Sequence, residues 1–231
     1  MSEPAAHPIA VVCVSGGMDS ALTAALAARD HHLAFLHANY GQRTEAKELE
    51  CFHRLADHYR AEHRLVVDFA DLRQIGGSSL TDAAIPVRQG GPVTGAIPTS
   101  YVPFRNAHVL AAGVSWAEVL GADSVHIGAV WEDSSGYPDC RPEFFRAFEE
   151  AARLGTRPET EIRIVTPVIA LTKAEIARQG LGLGVPFALT WSCYQAEDLA
   201  CGVCDSCLLR LRGFREAGAT DPIPYRNAAP A

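Results

Sequence analysis

Short apolar runs alternate with helix-like segments along most of the chain, and this alternation restricts the fold more than any other feature. The first run, at 9–14, is rich in β-branched residues and ends at Ser15-Gly16-Gly17, as a buried strand followed by a tight turn would. Runs of this kind predict strands at 9–14, 33–38, 65–67, 124–128 and 162–165. Helical spacing predicts helices at 21–29, 44–61, 106–120, 142–154 and 172–179. The alternation predicts an α/β fold with a parallel, doubly wound sheet.

Ligands of such sheets bind at the carboxyl ends of the strands, near the point where the strand order reverses. Four segments should meet there: the turn after the first strand, residues 37–42, the loop that begins at Gly76 and reaches Arg105, and the turn after Gly128. Residues 76–100 are rich in Gly, Pro, Ser and Thr, and a loop of this length is usually functional or disordered.

Composition excludes several classes of protein. The chain has 231 residues and a net charge of −7, and it has no block of Lys and Arg that would bind a long nucleic-acid backbone. No apolar run approaches the roughly 18 residues of a membrane span, and the first residues lack the layout of a secretory signal. We therefore expect a protein without a direct nucleic-acid or membrane partner, for which a small anionic ligand remains possible. The odd number of cysteines in a chain without a secretory signal favours a reducing, cytoplasmic compartment.

The turn at Ser15-Gly16-Gly17-Met18-Asp19-Ser20 is the most informative local stretch. Two glycines allow a concave turn, whose N–H groups and the start of the following helix favour a polyphosphate. Ser15 and Ser20 add hydroxyl donors, and Asp19 either caps the helix or helps to hold Mg²⁺. A strand–Gly-Gly–helix connection could also need glycine for steric reasons alone. The chain contains no Walker A pattern, which argues against a P-loop.

The seven cysteines are unevenly distributed, with four near the C-terminus: Cys193, Cys201, Cys204 and Cys207. Four thiolates match the ligand number of a closed, structural Zn²⁺ site. A redox Cys-x2-Cys pair, an iron–sulfur cluster and unpaired buried cysteines are the alternatives. We divide the chain into a nucleotide-binding α/β domain at 8–185, a zinc-binding subdomain at 186–218 and a tail at 219–231, whose Pro- and Ala-rich end we expect to be frayed.

Three further polar segments could line a site. Arg105 could clamp a phosphate or carboxylate, or lie on the surface before a helix. Asp139 could bind the N–H edge of a purine-like ligand, or cap the next helix. Cys140 has no evident His partner, so a packing or pocket-lining role is favoured. Lys173 could reach a phosphate or remain a solvated surface residue.

The SGGMDS stretch resembles the signature of the PP-loop ATP pyrophosphatase superfamily, whose members cleave ATP between the α and β phosphates. The segments NYGQR, YVPFRN, SGYPDCRPEF, TPVIALTKAEI and TWSCY…CGVCDSCLLRLRGF follow in that order, and the whole set resembles the 7-cyano-7-deazaguanine synthase family of queuosine biosynthesis. The resemblance implies an ATP-dependent carbon–nitrogen ligase that converts 7-carboxy-7-deazaguanine and ammonia into the nitrile through two adenylated intermediates. It also implies ATP with Mg²⁺ as cosubstrate, one structural Zn²⁺ on Cys193, Cys201, Cys204 and Cys207, and a homodimer.

The resemblance and the residue chemistry together give a set of expected site residues. The expected catalytic residues are Ser15, Asp19, Ser20, Arg105 and Lys173. The nucleotide is expected to contact Val14, Ser15, Gly16, Gly17, Met18, Asp19, Ser20, Ala21, Leu22, His37 and Asn39. The second substrate is expected to contact Tyr40, Gln42, Arg105, Asn106, Asp133, Tyr137, Asp139 and Arg141.

Three other functions compete with this interpretation. A PP-loop thiolase or amidine-forming ligase that modifies tRNA would need a basic groove and further catalytic cysteines, and the sequence suggests neither. A zinc-ribbon binding module with a degenerate nucleotide fold fits poorly with the intact Ser/Gly/Gly/Asp/Ser turn and the acidic charge. An enzyme of the same fold that attaches the deazaguanine to a protein amine remains open.

Overall fold

The computed structural model describes residues 7–91, 96–131 and 136–226. Five parallel strands form one sheet in the order β3-β2-β1-β4-β5. The strands are β1 (Ile9–Cys13), β2 (His32–Asn39), β3 (His63–Asp68), β4 (Ser124–Ile127) and β5 (Arg163–Val165). All five lie where the apolar runs predicted them, and the α/β fold with a parallel, doubly wound sheet is confirmed.

Seven α-helices accompany the sheet. They are α1 (Met18–Ala27), α2 (Glu45–His58), α3 (Ala70–Ile75), α4 (Arg105–Leu120), α5 (Pro142–Gly155), α6 (Lys173–Gly182) and α7 (Asp205–Glu216). Five match predicted helices, whereas α3 and α7 were not predicted. Helix α6 begins at a capping box formed by Thr172 and Glu175, and it continues through Gly182, three residues beyond the predicted end at 179. No helix among the described residues combines the length and the apolar character that a membrane crossing requires.

The core has one layer on each face of the sheet. One layer joins β1 and β2 to α1, α2 and α6 through residues such as Leu22, Phe35 and Phe52. The other joins the sheet to α4 and α5 through residues such as Leu110 and Phe145. The strand order reverses at β1, because β2 and β3 extend on one side of it and β4 and β5 on the other. The switch point therefore lies between the carboxyl ends of β1 and β4.

The C-terminal segment packs against this domain and does not fray before Arg226. Arg210 on α7 and Asp221 are both almost completely buried and are joined by two hydrogen bonds, of 2.7 and 2.9 Å. Ile223 is buried, and Ala200 pairs with Tyr225 in a short bridge. The expectation of a frayed tail is therefore wrong for 219–226, because a buried ion pair holds this segment in place. Residues 227–231 lie outside the described chain.

Candidate active site

The predicted phosphate turn joins β1 to α1 in a tight conformation. Gly16 has a φ of +84°, and a Cβ there would lie 2.8 Å from the backbone oxygen of Glu48, so the turn can contact α2 only because this residue is glycine. The Ser20 hydroxyl donates to the Gly17 carbonyl at 3.0 Å, and the Ser15 hydroxyl lies 3.3 Å from that of Ser20. No side chain caps the start of α1. Its first N–H groups are therefore available to an anion.

Asp19 and Lys173 form an ion pair beside this turn. The Lys173 ammonium lies 2.5 Å from Oδ2 of Asp19, and both side chains are largely buried. Oδ1 of Asp19 is also buried and has no hydrogen-bond partner within the described residues. Such an oxygen suits a hard cation such as Mg²⁺ or a ligand donor. Lys173 is the first residue of α6, so the helix start directs it to the phosphate turn and not to solvent.

A cavity of about 260 Å³ opens at the switch point. It is lined by the phosphate turn, the residues after β4, the start of α4 and the segment that carries the four cysteines. The four segments that the sequence predicted to meet all contribute, through residues such as Ser15, Tyr40, Ser100 and Ala129. Trp191, Ser192, Tyr194, Ser206 and Arg210 also line it. They lie in the segment that carries the four cysteines, from which the sequence analysis took only the metal ligands, so it did not assign them to the site.

Arg105 is half-buried and lines the wall of the cavity, so it lies where a clamp for a phosphate or carboxylate would lie and not on the open surface. Its guanidinium donates to the Tyr40 hydroxyl at 3.0 Å and lies 5.3 Å from the centre of the Tyr40 ring. Tyr137 contributes a second phenol, whose hydroxyl is 2.8 Å from that of Ser100. These side chains give one end of the cavity a fixed cation and two aromatic faces, which can bind a planar, anionic ligand.

Asp139 and Asn106 hold each other in a buried contact at the start of α4. Oδ2 of Asp139 accepts the backbone N–H of Asn106 at 3.0 Å, and the Asn106 amide donates to the Asp139 carbonyl and to the Cys140 sulfur. Asp139 thus caps α4 and not the helix that follows it in the chain. Burial raises the pKa of its carboxyl. Asn106 and Cys140 line the cavity, as expected for a pocket-lining Cys140.

Arg141 and Gln42, two further expected substrate residues, are not among the residues that line the cavity. Arg141 is exposed at the start of α5, and Asp133 lies outside the described residues. Gln42 is buried behind the wall, where its amide accepts the Tyr40 N–H at 2.9 Å and donates to Glu48 at 3.1 Å. Its position supports the wall of the cavity, whereas Tyr40 is itself part of that wall.

His37 and Asn39, which were expected near the nucleotide, lie two residues apart at the carboxyl end of β2. His37 is buried, and its Nδ1 lies 2.8 Å from the Val14 carbonyl, so the ring fixes the end of β1 from which the phosphate turn begins. Burial lowers the pKa of His37. The Nε2 atom of His37 and Oδ1 of Asn39 are buried without hydrogen-bond partners in the described part of the chain.

Glu48 is a functional candidate that sequence reasoning missed. It lies on α2, lines the cavity, and accepts hydrogen bonds from Thr44 at 2.8 Å and from Gln42. Burial raises its pKa to about 7. The Thr44–Glu48 spacing at a helix start was the available signal, but the packing of α2 against the turn is a tertiary contact.

The four C-terminal cysteines form a compact cluster that could hold a metal ion. The sulfur atoms of Cys193, Cys201, Cys204 and Cys207 all lie within 4.8 Å of one another. Backbone N–H groups point to them, including that of Cys201 at 3.3 Å from the sulfur of Cys193 and that of Cys204 at 3.3 Å from the sulfur of Cys201. Such contacts stabilise thiolates. The cluster matches the predicted ligand set, and Cys51 packs beside it in an apolar environment.

Known proteins are similar to this chain over nearly its whole length. The family model described as queuosine biosynthesis protein QueC matches residues 9–218. The 7-cyano-7-deazaguanine synthase of Chloroherpeton thalassium is 58% identical over 218 residues, which covers 94% of this chain and 96% of that one. The enzyme of the same name from Koribacter versatilis is 57% identical over 220 residues, which covers 94% and 92%. Among solved structures, the NH3-dependent NAD synthetase of Campylobacter jejuni is 15% identical, with a TM-score of 0.44 over 80% of this chain and 67% of that one.

Proposed function

The chain belongs to the QueC family of queuosine biosynthesis proteins, and from this premise we propose that it converts 7-carboxy-7-deazaguanine, ammonia and ATP into 7-cyano-7-deazaguanine. The observation that carries the proposal is one shared cavity. The phosphate turn with the Asp19–Lys173 pair forms one part of it, and Arg105 with two phenols forms another. A nucleotide and a planar acid can therefore meet at the switch point of the sheet.

The first half of the reaction activates the carboxylate. An anionic carboxylate resists ammonia, because attack would have to expel oxide. When a carboxylate oxygen attacks the α-phosphorus of ATP, pyrophosphate leaves and the oxygen becomes part of a phosphate leaving group. The N–H groups of the turn and Lys173 stabilise the charge on the departing pyrophosphate. Ammonia then displaces AMP and gives the amide.

The second half repeats the same chemistry on the amide. The amide oxygen attacks a second ATP, and loss of AMP leaves the nitrile. One phosphate turn serves both rounds, since each round needs the same phosphate contacts. Arg105, Tyr40, Asn106 and Tyr137 are proposed to hold the deazaguanine, and the carboxyl end of β2 with His37 and Asn39 to border the adenosine.

Two metal ions are part of the proposal. The buried Asp19 oxygen without a partner would hold Mg²⁺, which supplies neutralising charge to the triphosphate when bound. The four thiolates would hold one Zn²⁺ with no open position for a reacting water, so that site is structural. The family resemblance also supports a cytoplasmic homodimer, which light scattering on the purified protein would test.

One assay tests the function. We expect ATP–pyrophosphate exchange that depends on 7-carboxy-7-deazaguanine, and formation of the nitrile, detected by mass spectrometry, when ammonia is added. Unmodified guanine in place of the acid is the matched control and should give no exchange. Release of phosphate without AMP would contradict the proposal. A mass increase on a protein amine in place of a free nitrile would favour the conjugating enzyme.

A further inference from the structure

Glu48 is fixed at the cavity by the phosphate turn itself. The backbone oxygen of Glu48 lies where a Cβ on Gly16 would be 2.8 Å away, so α2 contacts the turn at this residue. Glu48 lines the cavity, and its carboxylate accepts hydrogen bonds from the Thr44 hydroxyl and the Gln42 amide. Both donors are neutral, so they orient the carboxylate without neutralising its charge.

The other cavity carboxylates have different partners. Asp19 pairs with Lys173, and Asp205 accepts the Gly91 N–H and lies 3.9 Å from the Arg88 guanidinium. Within the described residues, Glu48 forms no salt bridge, and the nearby Arg105 donates to Tyr40 instead. The charged and titratable groups around Glu48 are Arg105 at the start of α4, Glu45 and Cys51 on its own helix, and Tyr40. Tyr40 and Cys51 stay neutral at pH 7, because burial raises their pKa values to about 12 and about 11.

The proposed reaction makes an unusual demand on protons. Ammonium brings four protons to the site, and a nitrile nitrogen keeps none. One proton is lost before ammonia can attack, one as the amide forms, and two as the amide becomes the nitrile. A group next to the nitrogen must therefore accept protons in both halves, and an ion-paired carboxylate is a poor acceptor.

We propose that Glu48 is the residue that accepts protons from the reacting nitrogen in both halves of the reaction. This inference rests on the proposed function. In the first half, the nitrogen lone pair forms the C–N bond, AMP leaves with the C–O bonding pair, and the surplus proton passes to Oε of Glu48. In the second half, the amide oxygen attacks the α-phosphorus of ATP and pyrophosphate leaves, while the nitrogen lone pair forms a second C–N bond and the first of the two amide protons passes to Glu48. The remaining N–H pair then forms the third C–N bond, AMP leaves with the C–O bonding pair, and the second proton passes to Glu48. Because Glu48 is half-buried, it returns each proton to solvent before it accepts the next.

The burial of Glu48 supports this role. A carboxyl whose pKa is raised to about 7 is ionised in part at neutral pH and is basic enough to take a proton from a reacting ammonium or amide nitrogen. An ordinary surface carboxylate, with a pKa near 4.3, would be a much weaker base.

The experiment separates the steps that involve nitrogen from those that do not. In Glu48→Gln, we expect ATP–pyrophosphate exchange with 7-carboxy-7-deazaguanine to stay within about threefold of wild type. Nitrile formation from ammonia should fall about 10²- to 10⁴-fold, and so should nitrile formation when the 7-carboxamide and ATP are supplied. Glu50→Gln is the matched control, since Glu50 lies on the same helix but is exposed and pairs with Lys47 and Arg54; it should leave both rates unchanged.

A pH profile gives a second, independent readout on the wild-type protein. The conversion of the supplied 7-carboxamide to the nitrile, which needs no free ammonia, should become slower below about pH 7 in the wild type. Pyrophosphate exchange that depends on 7-carboxy-7-deazaguanine should not, and Glu48→Gln should lose this difference. Unchanged nitrile formation in Glu48→Gln would overturn the inference, as would equal loss of exchange and nitrile, which would assign Glu48 to the phosphate site. If the wild type showed no ATP–pyrophosphate exchange with 7-carboxy-7-deazaguanine, this would instead refute the proposed function.

Discussion

At the scale of single residues, the Asp19–Lys173 pair links two helices that are far apart in sequence. Asp19 is on the first turn of α1, and Lys173 begins α6. The ion pair uses only one carboxylate oxygen of Asp19. The other oxygen, Oδ1, forms no hydrogen bond in the described chain and can accept one from a ligand or bind a cation. The same residue can therefore hold Lys173 in place and contribute to phosphate or metal binding.

Asp19→Ala is predicted to lower ATP–pyrophosphate exchange in the presence of 7-carboxy-7-deazaguanine about 10²- to 10³-fold, because preorganised charge at a reacting phosphate is lost. The fold should remain, since the ion pair is at the rim of the core. Asp57→Ala is the control, because Asp57 is exposed on α2 and pairs with Arg64. Exchange rates and thermal unfolding of both variants check the prediction. If Asp19→Ala exchanged pyrophosphate at the wild-type rate, the proposed role of Asp19 in phosphate or metal binding would be wrong.

A second residue-scale prediction compares a buried ion pair with an exposed one. Asp221→Asn leaves the buried Arg210 guanidinium without its counter-charge and should reduce the free energy of unfolding by about 3–5 kcal/mol. Asp198→Asn breaks an exposed pair with Arg226 and should cost about 0–1 kcal/mol. Denaturant unfolding measures both. Equal effects would show that the tail contributes little to stability.

The sequence was informative about residues wherever a local motif specifies the chemistry. The Ser15–Ser20 turn and the four cysteines occupy the predicted places because each group is built from neighbours in the chain. Glu48 and Arg210 could not be found in this way. The Thr44–Glu48 spacing hints at a hydrogen bond at the start of α2, but the environments of Glu48 and Arg210 arise from tertiary contacts, such as those with Gly16 and Asp221.

At the scale of elements, close approaches at glycines determine how helices sit on the sheet. A Cβ on Gly128, after β4, would lie 2.7–2.9 Å from backbone atoms of Asp19 and Ser20. A Cβ on Gly213 in α7 would lie 2.7–2.8 Å from Lys173. These two glycines therefore set the distances of β4 and α7 from the helices that carry the proposed phosphate-binding residues Asp19, Ser20 and Lys173.

Gly128→Ala is predicted to push the start of α1 away from β4, because the atoms it would meet are backbone and cannot rotate aside. We expect at least a tenfold rise in the KM for ATP and a loss of about 1–3 kcal/mol in stability. Gly155→Ala, at the end of α5 with open space around it, serves as the control and should be close to neutral. Unaltered ATP affinity in Gly128→Ala would contradict the expected displacement.

Elements were predictable when their apolar pattern was long and unambiguous. The strands and five helices follow from periodicity, whereas α7 was missed because its cysteines and glycine look like turn residues. Packing against α6 stabilises α7, with Phe214 buried in the core and Gly213 at the crossing. Tertiary contacts thus override weak local propensity. Likewise, α3 has only six residues, too few for a helical period to show.

At the scale of the whole molecule, two buried groups affect acid stability in opposite directions. Burial lowers the pKa of His126 to about 4 and raises that of Glu48 to about 7. Between about pH 6.5 and 4, His126 is protonated in the unfolded chain but remains neutral in the folded chain. This difference lowers the free energy of unfolding as the pH falls towards 4. Glu48 binds its proton more readily when folded, so it has the opposite effect between about pH 7 and 4.5.

The contribution of His126 can be isolated with His126→Gln. Relative to wild type, this variant should gain stability on acidification from pH 7 to 4.5, by up to about 3 kcal/mol, because it removes the group that resists protonation. His108→Gln, which removes a partly exposed imidazole, is measured alongside as the control. Unfolding free energies at several pH values measure the difference. Parallel pH curves for His126→Gln and wild type would refute the assignment.

The four-cysteine cluster lies beside the wall of the cavity, so we predict that a metal ion bound there would couple the stability of the whole molecule to its activity. Trp191, Ser192 and Tyr194 precede or follow Cys193, and Asp205 and Ser206 lie between Cys204 and Cys207; all five line the cavity. Holding the four sulfurs on one ion would fix this wall, since metal binding and folding are coupled. Removing the metal should therefore loosen the same surface that closes the reaction site.

Chelation of the purified protein, or Cys204→Ser, is therefore predicted to lower the Tm by at least 5 °C. The same treatments should also reduce the ATP–pyrophosphate exchange that depends on 7-carboxy-7-deazaguanine. Metal content by mass spectrometry should fall from about one zinc ion per chain to near zero. Cys51→Ala is the matched control, because Cys51 packs beside the cluster without belonging to it and should keep its metal. A metal-free chain with wild-type Tm and exchange would mean that hydrogen bonds and apolar packing alone hold this wall of the cavity.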